Sequence, residues 1–286
     1  MAGERRQLAP RQEGSLSVLP ELPAQVDAAS TAAYTQAVLT NAGLPFPLAL
    51  ACAAALSAAV GWVVGLPALR VKGIYLGIAT LSFGFIVEEV FARWDAVTGG
   101  NSGKTVGAAK AFGWAADTGA SFYFVCLVVT VLATLACINL LRSPTGRAFV
   151  AIRDSEISAQ SMGIALARTK TLAFALSAAL AGLGGALYAR KVGFISPEQF
   201  TIMQSIELLM MIVIGGLGSL HGVFLGAAFV IALPQVIAMA KDFLPAVVAG
   251  SPGLQPLVFG LILMAFLLFE PLGLYGQIGA SCRERV

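Results

Sequence analysis

The chemistry this chain can do is concentrated in one interior island. From Ser143 to Lys170 it reads SPTGRAFVAIRDSEISAQSMGIALARTK, and Arg147, Arg153, Arg168 and Lys170, with Arg142 just ahead, outnumber Asp154 and Glu156. In a membrane protein, such a basic excess between apolar runs marks the cytoplasmic side. Catalytic constellations are missing: the sequence holds no HExxH, no GxSxG and no Walker P-loop, and His221 is its sole histidine. With no partner carboxylate nearby in sequence, His221 reads as a packed turn residue rather than a proton relay. Cys52, Cys126, Cys137 and Cys282 show neither CxxC nor metal-ligand spacing. Cys126 and Cys137 share a helix and lie roughly 16 Å apart, too far for a disulfide.

Local signals divide the island into two short helices. Pro144 and Gly146 break the preceding run, and Arg147 to Ile152 can form about a turn and a half. Asp154 or Ser155 can cap a second helix, and Gly163 suits a left-handed stop, where a Cβ would cost roughly 1 kcal/mol. Ala148, Ile152 and Ala159 fall on one side and Val150 and Ile157 on another, so no single apolar stripe emerges.

The elements that must position this island are membrane helices. The chain has 286 residues, 58% hydrophobic and 12% charged, too little polar surface to cover a soluble globule of that size. Its net charge of +3 sits at cytoplasmic-facing positions, and no basic and aromatic interleaving offers a nucleic-acid surface. The interiors of the apolar runs carry no Asp, Glu, Lys or Arg. A charge there costs about 2.5 to 3.5 kcal/mol even on lenient insertion scales, and proton- or sodium-coupled carriers usually show some. No such coupling charge is present in these runs.

In chain order, residues 1–30 are charged and proline-containing and are expected to be extramembrane or disordered. Phe46 to Leu69 is 24 uncharged residues, enough to cross a hydrocarbon core of about 30 Å, with Arg70 and Lys72 at its cytoplasmic end. Gly73 to Val87 is shorter and either extends toward Arg93 or is tilted or broken. Gly61 and Gly65, like Gly73 and Gly77, have small-xxx-small spacing. Glu88 to Asp117 is expected as an outer loop. Within it, TGGNSG, Thr98 to Gly103, is either a plain surface turn or an anion nest whose amides meet a carboxylate. Thr118 to Leu141 returns to the island, and Thr171 to Ala189 crosses outward with Gly182, Gly184 and Gly185 as a smooth packing face. Arg190 and Lys191 at its outer end depart from the positive-inside rule. Ser196-Pro-Glu-Gln199 predicts a capped helix start. Leu208 to Ala240 holds 33 uncharged residues, and its glycines at 215, 216, 218 and 222 predict two segments meeting at a tight turn. Phe243 to Phe269 supplies the last span. The fold class that results is an all-α polytopic integral membrane protein, with about seven to eight transmembrane or re-entrant helices and a cytoplasmic loop.

The run GRAFVAIRDSEISAQSMGI resembles the cytoplasmic coupling loop of permease subunits in branched-chain amino acid ABC importers, the LivM-like family. LAFALSAALAGLGGALYA, GFISPEQFTIMQSIELLMMIVIGGLGSLHGVFLGAA and LLFEPLGL follow in the family's order, and GLPALRVKGIYLGIATLSFGFI and TGGNSG match upstream. The resemblance covers residues 43–275. It departs at the N-terminus, where the family has one or two spanning helices and then a Gly/Ser-rich stretch, and only GSLS at 14–17 and AAYTQAVLT at 32–40 match. The domain organisation expected is a divergent polar segment at 1–30, a permease domain at 31–275 with its coupling loop at 143–170, and a non-native or unstructured tail at 276–286.

The resemblance implies a bacterial cytoplasmic-membrane subunit without enzymatic activity or a bound cofactor of its own. ATP and Mg would bind two cytoplasmic ATPase subunits. A second, homologous permease and an extracytoplasmic solute-binding protein would complete the importer. It places Gly146, Arg147, Phe149, Ile152, Arg153, Asp154, Glu156 and Gly163 at the ATPase contact, with Arg153 and Asp154 as polar anchors and Phe149 or Ile152 as apolar ones. Thr80, Thr98, Gly99, Gly100, Glu207, Gly215 and Gly216 are candidates for the substrate path. The solutes implied are branched-chain amino acids or a related small solute such as urea or an amide. A stand-alone channel or facilitator is the alternative; it fits the uncharged spans but leaves the island without a task.

Overall fold

A helix that carries an aspartate, two glutamines and four Ser or Thr hydroxyls has no obvious reason to lie in the middle of an apolar bundle, yet one does. The computed structural model describes residues 22–68, 74–107, 110–111, 114–115, 119–216, 220–241, 260, 261 and 264. Its helices are α1 (Leu22–Asn41), α2 (Phe46–Ala68), α3 (Ile74–Arg93), α4 (Asp95–Thr98), α5 (Gly119–Arg142), α6 (Pro144–Asp154), α7 (Glu156–Ser161), α8 (Leu166–Val192), α9 (Ile202–Gly215) and α10 (Leu220–Lys241). Among the described residues, five stretches are long and apolar enough to cross a membrane: Phe46–Leu66, Ala120–Arg142, Leu166–Val192, Pro197–Gly215 and Leu220–Ile237. The protein is an all-α polytopic membrane protein. Its strands are two-residue pairings, β1 (Lys104–Thr105) with β4 (Phe194–Ile195) and β2 (Lys110–Ala111) with β3 (Trp114–Ala115), both antiparallel.

The described residues fall into two compact units that divide after Ser205. In the first, α1, α2 and α8 pack mutually. Ala28, Ala32, Ala33 and Ala37 of α1 have no exposed surface, so small side chains let the backbones approach, as in membrane bundles generally. At Gly185 of α8 an added Cβ would stand 2.1 Å from the Ala29 carbonyl oxygen; at Gly182 it would meet Ser57 Cβ at 2.6 Å, and at Gly61 of α2 it would meet Ala178 Cβ at 2.4 Å. Gly184, expected on the same packing face, has no neighbour within 4 Å of such a Cβ and points away.

Local hydrogen bonding lets α1 carry its polar side chains inside. The hydroxyls of Ser30 and Thr31 both donate to the Asp27 carbonyl at 2.8 Å, and Thr35 donates to the Thr31 carbonyl at 2.7 Å. Across helices, Gln25 Nε2 donates to Ser177 Oγ and Ser57 Oγ donates to the Ala28 carbonyl, each at 2.8 Å. A hydroxyl bonded back to the helix loses little on leaving water. The helix therefore begins at Leu22, inside the segment expected to be polar and extramembrane, and Val26, Asp27, Ala28 and Ser30 are buried.

Other expectations shift in the same way. Glu88 and Glu89 belong to α3, which extends to Arg93, where Arg93 pairs with Glu89 one turn back. The Ser196 side chain makes no cap; Pro197–Gln199 is a single 3-10 turn, and α9 starts only at Ile202. Phe200, which ends that turn, stacks edge-on against Tyr188 with ring centroids 6.0 Å apart. Arg190, out of place by the positive-inside rule, donates to the Gly107 carbonyl at 2.7 Å, and the Asn41 amide clamps the same segment, donating to Thr105 O and accepting from Gly107 N. The second unit holds the hairpin expected from the glycine-rich run. A Cβ on Gly215 would lie 2.1 Å from the Gly222 carbonyl oxygen, and one on Gly226 2.0 Å from that of Met211. The expectations for residues 1–21, Arg70, Lys72, Gly73, Cys282 and the tail at 276–286, and for most of the span from Phe243 to Phe269, lie outside the described residues.

If the triangle of α1, α2 and α8 rests on these close approaches, Gly185→Ala should lower thermal stability in detergent by about 1 to 3 kcal/mol, the usual cost of overpacking. Gly184→Ala should not lower it, and equal losses at both positions would contradict the packing.

Candidate functional site

The island folds as two capped helices between α5 and α8. Ser143 accepts a hydrogen bond from Gly146 N at 3.2 Å and Pro144 occupies the first helical position, so α6 starts at once after α5. It runs to Asp154, longer than the turn and a half expected. Ser155 then caps α7, its hydroxyl accepting from Ser158 N at 3.3 Å. After Met162, Gly163 takes φ +83°, and Ile164 N bonds back to the Ala159 carbonyl, turning the chain into α8.

The side chains divide into those that hold the segment and those it presents. Gly146 is buried, and a Cβ there would come 2.3 Å from the Leu140 carbonyl oxygen, so this glycine serves the reversal from α5 to α6. Glu156 is committed to Lys170 of α8 at 2.6 Å, which fixes α7 against the start of that helix. Phe149 and Ile152 are half-buried. Arg147, Arg153 and Asp154 are exposed, and Arg153 pairs with its neighbour Asp154 at 3.3 Å. The apolar side chains that stand clear are Ile157 and Met162, each 81% exposed. Sequence reasoning named neither as an anchor. The available signal was position: both lie on the short capped helix or its end, where few neighbours can cover a side chain.

The other candidates lie elsewhere. Thr80 is buried on α3. Thr98 is buried, with Oγ1 2.7 Å from both the Phe91 and Trp94 carbonyls. Gly99 and Gly100 have the positive φ expected, 78° and 60°. Their amides, however, are spent inside the turn, on the Asp95 carbonyl and on Thr98 Oγ1. The turn thus leaves those two N–H groups no capacity for a carboxylate. Glu207 is exposed early in α9, while Gly215 and Gly216 close the hairpin of the second unit, Gly216 with φ +101°. Among the described residues no group of His, Cys, Asp and Glu is arranged to hold a metal ion.

Residues 24–267 match the family described as branched-chain amino acid transport system / permease component. The chain is 33% identical over 269 residues to the high-affinity branched-chain amino acid transport system permease protein LivM of Salmonella typhimurium, covering 85% of this chain and 60% of that protein. It is 26% identical over 232 residues to a probable branched-chain amino acid transport permease protein LivM of Methanocaldococcus jannaschii, covering 79% and 67%. Over 150 residues it is 29% identical to the autoinducer 2 import system permease protein LsrC of an Enterobacter species, covering 50% and 41%. The chain thus spans 60% of the length of the Salmonella relative. No solved structure matches it.

The Glu156–Lys170 pair is partly exposed, so its contribution is at most about 1 kcal/mol. Glu156→Gln should accordingly speed hydrogen exchange of the 156–162 amides by up to about fivefold while leaving the middle of α8 unchanged. Unaltered exchange in α7 would show that the pair does not fix it.

Proposed function

The chain belongs to the family of permease components of branched-chain amino acid transport systems, and from that premise we propose that it is a membrane-spanning subunit of an ABC importer. Its cargo in this reading is a branched-chain amino acid or a related small solute such as urea or an amide. ATP and Mg act on two separate cytoplasmic subunits, a second permease completes the path, and an extracytoplasmic binding protein delivers the solute. The membrane is the bacterial cytoplasmic membrane.

The observation that carries the reading is the surface of α6 and α7. Two capped helices between membrane spans hold Ile157 and Met162 out of any packing, beside the exposed Arg147, Arg153 and Asp154. Exposed apolar side chains on a segment that also presents charge have the composition of an interface with an apolar centre and a polar rim. Arg153 and Asp154 satisfy one another only across adjacent positions at the surface, a pairing worth little in water and cheaply exchanged for a partner's charges. The segment is also stiffly mounted. The Ser143 cap joins it to α5 and the Glu156–Lys170 pair joins it to α8, so a pull on α7 is transmitted to a helix of 27 residues. ATP-driven closure of the partner subunits would use that lever to switch the path between outward and inward access.

The test is ATP-driven uptake in proteoliposomes carrying the permease with its partners. Ile157→Asp should lower uptake by roughly tenfold or more, as loss of one interface anchor does, while insertion and helical content are retained. Arg153→Glu should also uncouple uptake from ATP hydrolysis. Full uptake in both variants would contradict the assignment of this surface.

A further inference from the structure

A carboxylate oxygen with no partner lies on the stretch of α1 beside the middle of α8, between Gln25, bonded to Ser177, and Ala29, packed on Gly185. Asp27 of α1 is 6% exposed, and its Oδ2 is one of four buried side-chain atoms among the described residues that lack a hydrogen-bond partner. The Tyr34 hydroxyl, two turns further along α1 on a side chain 3% exposed, is another. Two small clefts, of about 30 and about 10 Å³, meet at Asp27. Glu88 of α3 lines both, Tyr34 and Ser30 line the smaller, and Thr201 and Ser205 line the larger. On α3, Thr80, Gly84 and Glu88 follow at intervals of four and so share one helix face. Gly84 opens that face to the acid: a Cβ there would stand 3.3 Å from Asp27 Oδ2.

The chemistry of this lining is one-sided. Ionised carboxylates only accept hydrogen bonds, and the hydroxyls beside them can accept too. Among the described residues, no Lys or Arg lines either cleft. Buried polar atoms in native proteins are nearly always satisfied, so two orphans facing one space call for a ligand that donates. The space admits a group about the size of a water molecule, for which 10 to 15 Å³ is the usual minimum, and not a whole amino acid. A primary ammonium head meets each requirement: one positive charge, three donors and that size.

We propose that the Asp27–Glu88 cleft receives the ammonium group of the transported solute, with Tyr34 and Ser30 supplying further acceptors. The inference rests on the reading of the chain as an amino acid import permease and gives that path a buried charged contact. The cleft lies where α1 runs beside Ser177 to Gly185 of α8, about 17 to 28 Å along that helix from its start beside α7. Solute contact and ATPase contact thus sit at different levels along one helix. The apolar side chain of the solute would remain in the path beyond the cleft.

The test uses the assembled importer in proteoliposomes, with leucine as the probe and both uptake and ATP hydrolysis recorded. Asp27→Asn removes the charge and keeps the shape. The expected result is a loss of leucine uptake of about tenfold or more, the effect of deleting a charge-assisted contact, with ATP hydrolysis stimulated by the loaded binding protein within about twofold of wild type. Unchanged uptake would overturn the proposal, and so would parallel loss of uptake and ATP hydrolysis, which marks a purely structural aspartate. If Asp27→Asn does not assemble, the less buried Glu88→Gln decides on the same two readouts. Absence of leucine uptake by the wild-type complex would instead remove the amino acid reading itself, and the ammonium assignment with it.

Discussion

The structure depends on how closely α8 approaches α1 and α2. Gly185 against the Ala29 backbone, Gly182 against Ser57 and Gly61 against Ala178 leave no room for a Cβ. In a bilayer, where lipid is as apolar as any side chain, such close packing and a few interhelical hydrogen bonds are what distinguish one helix arrangement from another. The contact also determines where the polar groups lie. Once α1 is drawn in by its alanines, its Asp27 and Tyr34 come with it, and they end up facing α3 and the 197–201 turn rather than water. The same helix α8 carries Lys170 at one end, bound to Glu156, and Arg190 near the other, bound to the Gly107 carbonyl. One rigid element thus joins the α6–α7 surface to the opposite end of the bundle.

Much of this was legible in sequence, and what was legible shares a physical basis. Breaks in long apolar runs need Gly, Pro and a cap. The bracketing of the island by Pro144 and Gly163, and the division of Leu208 to Ala240 near Gly215, follow from backbone chemistry that acts over a few residues. The motif order gave the family, which residues 24–267 match.

What was not legible depends on tertiary partners. The polarity of Leu22 to Ser30 argued for water, but Ser30 and Thr31 bond to the Asp27 carbonyl within the helix and so cost less to bury than composition suggests. Gly182, Gly184 and Gly185 look equivalent in sequence, and only their angular position on α8 separates the two that pack from the one that does not. The turn at Thr98 to Gly103 has the left-handed glycines of an anion nest, yet the Gly99 and Gly100 amides are consumed by Asp95 and Thr98. Dihedral preference can be read from residue type; whether an N–H remains free cannot. That Ile157 and Met162 stand exposed while Phe149 and Ile152 are half-buried was not legible, because helical periodicity does not report which side of a short helix neighbours will cover.

The central claim is that α6 and α7 are a docking surface for an ATP-hydrolysing partner. It is tested most directly by isolating the chain from native membranes in mild detergent, identifying what accompanies it by mass spectrometry, and assaying ATP hydrolysis on the same sample. The account predicts a second permease and ATPase subunits in the complex, with chemical cross-links from the ATPase subunits to residues 147–163. Recovery of the protein alone, conducting solute without ATP, would contradict it and favour a channel.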